Sequence, residues 1–214
     1  MLTIMAKGGP LMWFILISAI VAIAVFFERL YRYHTAQIHT NDFVSGILNS
    51  LKRGNVKEAI DTCRNTAGPV AEVVMAAVLN HDRSRDEIRE AVQDAARTEV
   101  TRLERNLPIL VTIAQVAPLI GFLGTVWGMI RVFMVIEKTQ ATYAGQLAGG
   151  VWQALLTTAG GLVVAIPSYI AYNYLVSRVQ NLVLDMEKAA NETVQYLAHK
   201  EEGGEQSAKV VEMR

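Results

Sequence analysis

The chain has 214 residues, 52% of them hydrophobic, with 20 Lys/Arg against 20 Asp/Glu and a formal net charge of zero; its mean hydropathy is +0.27. It is too apolar for an ordinary soluble domain and too polar to lie wholly within lipid, and its charge balance excludes nucleic acid as a partner held by bulk electrostatics. Cys63 is the single cysteine, so no intramolecular disulfide can form, and its place in a helical run fits a buried, bland thiol.

In chain order, residues 1–10 form a short stub. Leu11–Phe27 follows without a charge and sits at the lower end of the membrane-spanning range. Glu28-Arg29-Leu30-Tyr31 comes next with no small-residue cleavage site, which favours a retained transmembrane helix, residues 11–27, over a signal peptide. Residues 28–108 read as a helical domain. Asn41–Arg53 and Asn55–Asn65 are short amphipathic runs, the second with Asn55 and Glu58 as a capping pair. Gly68-Pro69 breaks the chain before Val70–Leu79, and Ser84-Arg85-Asp86-Glu87 is a capping box opening a charged helix, Asp86 to Asn106. Only Pro108 intervenes before the second span, residues 109–136, so one long rod is expected, kinked at Pro108 and Pro118. Residues 137–146 connect to a third span, 147–176, long enough to cross with tilt. That helix is predicted to continue over 177–200, and the Gly203-Gly204 tail, 201–214, to be disordered. The fold class predicted is an all-α membrane protein, its three transmembrane helices joined to long helices of a cytoplasmic bundle.

Basic residues set the orientation. Twelve Lys/Arg lie between the first two spans, including Arg29, Arg32, Arg97, Arg102 and Arg105; the 137–146 loop has Lys138 alone and the stub only Lys7. The positive-inside rule places 28–108 and the C-terminus in the cytoplasm and the N-terminus outside. Catalytic chemistry is not encoded in any arrangement that can be argued. There is no phosphate-binding loop, and His34, His39, His81 and His199 lack metal-ligand spacing, so neither an enzyme activity, a metal nor a cofactor is expected.

The second and third spans are dotted with small and hydroxyl residues. Gly121, Thr125 and Gly128 share one face, and Gly124 with Gly128 forms Gly-x-x-x-Gly. In the third span Ala154, Thr158, Gly161, Ala165 and Ser168 make a stripe, flanked by Gln153, Thr157, Gly160 and Val164. Counted from the middle of each span, Thr125 and Thr158 fall at a similar depth, about 5–8 Å to the outer side of the midplane. They could contribute to a ring around an axis, or they could bond their own i−4 carbonyls or tie helices together. Residues 109–130 and 147–176 contain no Asp, Glu, Lys, Arg or His. Proton relays in membranes use ionisable groups, so a proton path along these helices needs a carboxylate from a second polypeptide. A non-conducting scaffold, whose small residues only pack helices, is the alternative from another class.

The run Ala117-Pro118-Leu119-Ile120-Gly121-Phe122-Leu123-Gly124-Thr125-Val126-Trp127-Gly128 resembles the signature of the MotA/TolQ/ExbB proton-channel family. Gln153-Ala154-Leu155-Leu156-Thr157-Thr158-Ala159-Gly160-Gly161-Leu162, followed by Ala165-Ile166-Pro167 and Tyr172-Asn173, resembles its second motif. Three spans favour the ExbB/TolQ branch over the flagellar one. The resemblance implies a homopentamer in a bacterial inner membrane, surrounding an ExbD- or TolR-like single-span partner whose membrane Asp carries protons. It also implies a motor driven by proton-motive force that works through TonB or, in the TolQ branch, through TolA in the Tol-Pal system. Thr125 and Thr158 stand at the family's two functional threonine positions, with Thr157 and Gln153 beside them; Gln153 replaces the family's common Glu and cannot titrate. Gly121, Gly124, Gly128, Gly160 and Gly161, with Pro118 and Pro167, are the expected close-packing positions. A proton is the implied ion, with sodium compatible with a threonine-lined path.

Overall fold

The computed structural model describes residues 9–139 and 144–212. The stub up to residue 8, the centre of the 137–146 connection and the last two residues lie outside the described residues. Seven helices occur among those described, with no strand: α1 (Pro10–Ala36), α2 (Thr40–Lys52), α3 (Val56–Asn65), α4 (Pro69–Leu79), α5 (Arg85–Glu104), α6 (Leu107–Thr139) and α7 (Ala144–Glu212). They divide into two compact units, Met1–Leu30 with Asn106–Val176, and Tyr31–Arg105 with Ser177–Arg214. Both α1 and α7 contribute to each.

The second unit is built around α4. Pro69 supplies the fixed φ suited to a first helical turn, and Gly68 precedes it at φ 132°, where a Cβ would lie 2.9 Å from the Ala36 carbonyl oxygen. Seven of the eleven α4 residues are buried, with Val73, Val74, Ala77 and Val78 fully so. A helix apolar all round is stable in water only when other helices cover it. That cover comes from amphipathic neighbours: α3 buries Ala59 and Cys63 and α5 buries Ile88 and Val92, while α2, which buries Val44, Ile47 and Leu51, packs on α3 in turn. Burial, with a smaller contribution from Glu72, pushes the Cys63 thiol up to about 11, consistent with an inert side chain. Two side-chain bonds tie distant segments: Tyr33 Oη donates to the Leu103 carbonyl (2.7 Å) and Lys188 Nζ to Asn41 Oδ1 (2.8 Å).

Helix starts follow their chemistry. The Asn55 side chain accepts from the Glu58 N–H and donates to the Glu58 carboxylate. Ser84 and Glu87 form a reciprocal capping box at the start of α5. The rod expected across Pro108, kinked there, is interrupted at residues 105 and 106, where α5 ends and α6 begins. Proline has no N–H to return to the carbonyl four residues earlier, and its ring crowds that carbonyl; for Pro108 this is Glu104, the last residue of α5. At the other end, α7 runs on to Glu212 where the sequence predicts disorder. Extending an existing helix is far easier than nucleating one, so Gly203 and Gly204, at about 1 kcal/mol each, do not stop a run otherwise rich in Glu, Gln, Ala and Lys.

In the first unit the burial pattern inverts. Three helices are long and apolar enough to cross a membrane, and most of their apolar surface faces outward. Phe14, Leu119, Phe122 and Val163 are all more than 60% exposed, while many of the buried positions are alanines and glycines. Near one end of this unit, Asn106 Nδ2 donates to Glu28 Oε2 (3.0 Å), and Arg29, only 2% exposed, pairs with the same oxygen at 3.4 Å. The chain is a multi-pass membrane protein.

Candidate ion pathway on the second and third spans

The close approach of α6 and α7 begins with small side chains in antiparallel register. A Cβ on Gly161 would stand 2.5 Å from the Ala117 carbonyl oxygen; one on Gly121, 3.0 Å from Thr158 Cα; one on Gly124, 2.6 Å from Thr157 Cβ; one on Gly128, 2.9 Å from Ala154 Cβ. At Gly150 the place of a Cβ is taken by a methyl of Val132. The seam thus has five levels over about four turns of α6, and at each level one partner has no side chain. In lipid this is the way helices associate, because apolar burial gives no net driving force there and van der Waals contact between backbones replaces it.

The threonines take three different positions. Thr157 is 1% exposed, pressed against Gly124, and its hydroxyl donates to the Ala154 carbonyl at 2.8 Å. Thr158 is half-buried and donates across the seam to the Gly121 carbonyl at 3.0 Å. Thr125, also partly exposed, donates to the Phe122 carbonyl at 2.6 Å. The register puts Thr158 level with Gly121 and Thr125 between Gly124 and Gly128, opposite the 154–157 turn. The equal depth expected by counting from span centres is therefore corrected by about one helical turn. Each hydroxyl proton is committed to a backbone carbonyl, which leaves only lone pairs to offer elsewhere.

Gln153 and Gly160, seven residues apart, share the face of α7 that meets α1. The Gln153 amide sits where a Cβ on Gly9 would be, and Met12 lies 3.2 Å from the Cβ position of Gly160. Gly9 has φ 75°, a conformation that favours glycine. Gln153 is thus grouped with the first span, while Ala154, Thr157, Thr158 and Gly161 face the second. Neither the Met12–Gly160 contact nor the Val132–Gly150 contact is signalled in the sequence, since both larger partners sit in plain apolar runs. Pro118 and Pro167 lie inside α6 and α7, and beside Pro167 the Ser168 hydroxyl donates to the Val164 carbonyl at 2.7 Å. Pro167 also lines an apolar cavity of about 590 Å³ with Phe26, Phe27 and Tyr174.

Comparison with known proteins places this arrangement. The profile described as the MotA/TolQ/ExbB proton channel family matches residues 65–188, more than half of the chain and all of the α6–α7 seam. The chain belongs to the MotA/TolQ/ExbB proton channel family. Among relatives of this family, the biopolymer transport protein ExbB-like 3 of Synechocystis is 34% identical over 158 residues, covering 72% of this chain and 75% of the relative. The biopolymer transport protein ExbB of Pseudomonas putida is 36% identical over 132 residues, 57% of this chain and 40% of that protein. The Tol-Pal system protein TolQ of Haemophilus influenzae is 40% identical over 95 residues, 44% of this chain and 42% of that protein. These relatives support the ExbB/TolQ branch of the family.

Proposed function

We propose that this chain is the ring-forming subunit of a proton channel and motor in a bacterial inner membrane, with its N-terminus periplasmic and its C-terminus cytoplasmic. Five copies would surround a dimer of an ExbD- or TolR-like single-span partner, and the assembly would use proton-motive force to energise TonB-dependent outer-membrane transport. The observation that carries this reading is the combination of a tightly packed α6–α7 seam with membrane segments free of ionisable side chains. Such a surface is smooth and uncharged, and the titrating carboxylate must come from the partner.

The threonine geometry suggests how the surface treats that carboxyl. An ionised carboxylate only accepts hydrogen bonds, whereas a protonated one has an O–H to donate. Thr125 and Thr158, both already donating to main-chain carbonyls, present acceptor lone pairs. They would therefore favour the protonated partner carboxyl, or water, over the anion. A ring lined this way resists the charged state and lets the neutral one pass, which couples movement of the partner to its protonation. Thr157 and Gln153, packed against α6 and α1, would hold the two threonine-bearing helices in place.

The test is proton flux into liposomes holding this chain and its single-span partner under an imposed pH gradient. Flux is expected, and replacing the partner's membrane Asp by Asn should abolish it. Assembled complexes that carry no flux, in the presence of the outer-membrane coupling protein, would overturn the reading in favour of a scaffold. The Tol-Pal alternative is distinguished by whether deletion of the gene impairs TonB-dependent uptake or outer-membrane integrity.

A further inference from the structure

The helical unit formed by 31–105 and 177–214 contains an open groove of about 870 Å³ that the ion pathway does not use. Its two walls are laid out alike. On α5, the ridge at four-residue spacing, Arg85-Arg89-Gln93-Arg97-Thr101, forms the rim, and Val92, Ala96 and Val100 form the floor. On α7, the rim is Glu187, Asn191 and Gln195, and the floor is Met186, Ala190 and Val194. The α5 wall is about 24 Å long at about 1.5 Å per residue, the length of a four-turn helix.

Charge on α5 is sorted by ridge. The groove side carries Arg85, Arg89 and Arg97, while Asp86, Glu90 and Asp94 occupy the next ridge, outside the lining. Arg97 reaches over to Asp94 at 3.4 Å; Arg85 and Arg89 make no ion pair among the described residues. With Arg97 paired to Asp94, Arg85 and Arg89 against Glu187 leave the rim basic over an apolar floor. A free phosphate would answer the rim and leave the floor empty. The acidic ridge of a second copy's α5 is flanked by Ala91 and Ala95 and has no side chain large enough to fill the floor.

We propose that this groove docks an acidic amphipathic helix of a partner polypeptide. Its apolar stripe lies on the floor between α5 and α7, and its carboxylates face Arg85, Arg89 and Arg97, an arrangement in which burial supplies affinity and the arginines supply orientation and selectivity.

Fluorescence anisotropy on the full chain in lipid nanodiscs tests this. The probes are a labelled 16-residue helical peptide with Leu at i, i+3, i+4 spacing flanked by Glu, and its twin with Lys for Glu. The acidic peptide should bind saturably and at least tenfold more tightly than the basic twin. The double variant Arg85→Glu/Arg89→Glu should reverse that preference. Ala96→Trp, which fills the floor, should weaken the acidic peptide about tenfold with the thermal melt unchanged. Should either variant lose its melt, Gln93→Glu on the exposed rim replaces it, with an expected weakening of about threefold. Absence of saturable binding, equal binding of the twins, or a preference that survives charge reversal overturns the proposal. It is likewise overturned if charge reversal breaks the native oligomer in mass spectrometry while the peptide does not bind, because the occupant is then a second copy.

Discussion

Helices α4 and α6 are both apolar on every side, yet they are held by opposite means. In α4 the valines are the packing: Val73, Val74 and Val78 are fully enclosed, and water driven from them supplies the stabilisation. In α6 the large residues, such as Leu119 and Phe122, face outward, and the packing is done by Ala117, Gly121, Gly124 and Gly128 against α7. The same apolar composition means inside in one unit and lipid-facing in the other. Which residues are indispensable therefore inverts between the two units, and that inversion can be tested by substitution.

The largest effect should come from enlarging a residue at the membrane seam. Gly161→Leu puts a Cβ 2.5 Å from the Ala117 carbonyl, and backbone cannot yield as a flexible side chain would. Overpacking typically costs about 1–3 kcal/mol and more where backbone is struck, so the variant should fail to give a monodisperse complex in size-exclusion chromatography. Normal assembly would mean that the α6–α7 seam is not the contact that holds the membrane unit together.

Truncation should show the reverse asymmetry. Ile88→Ala removes a fully buried side chain from the α4 surroundings and should cost about 2–5 kcal/mol in thermal or denaturant unfolding. Leu155→Ala, at a position 61% exposed in the membrane unit, should change stability by under about 0.5 kcal/mol, since lipid covers either side chain equally well. Equal costs at the two sites would erase the comparison.

Much of this was legible because each feature is local. The capping box at Ser84, the Asn55 cap and the Gly68-Pro69 break each depend on residues within one turn of one another, the three apolar runs depend only on contiguous sequence, and the structure has the corresponding helix ends. The glycine motifs also announced close packing, because few other arrangements tolerate so many glycines in a membrane helix. What the sequence did not reveal is which small residue meets which. Register between two helices depends on how side chains from both fit, so Thr125 and Thr158 were placed at one level and are in fact a turn apart. Gln153 stands out in the sequence because it replaces the family's common Glu, and its contact with Gly9 is not readable there, since it depends on how α7 is turned toward the first span. The groove on α5 was invisible for the same reason: the arginine ridge is readable, but its apolar floor comes in part from α7, about 90 residues later.

A smaller effect probes the seam without disturbing its shape. Thr158→Val keeps the volume and removes the hydroxyl that donates to the Gly121 carbonyl. The loss should be about 1 kcal/mol of stability, with assembly intact and proton flux clearly reduced. Val at Thr157, which faces Gly124 and donates within its own helix, should perturb packing more than flux. If Thr158→Val retains full flux, the threonine serves only to join α6 and α7, as Gly121 and Gly161 do.

The smallest effect belongs to the water-facing unit and has a distinct pH signature. Glu87 is fully exposed, yet its carboxylate accepts from the Ser84 hydroxyl (2.8 Å) and the Ser84 N–H (3.1 Å), which together hold it below the ordinary carboxylate value. A carboxyl whose value is lowered by folding adds stability above its unfolded value of about 4.3, and that contribution is lost as pH falls through the lowered value. Glu87→Gln keeps an acceptor and removes the titration. The melting difference between the parent chain and this variant should be steady from pH 7 to about 5 and shrink below it. No such cap exists at α6, where the helix opens at Leu107-Pro108 with no acidic residue in its first turn. The acid limb should therefore act on the α5 end and leave the membrane seam unchanged. A difference that stays constant down to pH 3 would mean that the Ser84 bonds hold the neutral carboxyl as well as the charged one, and that the cap stabilises α5 by shape rather than by charge.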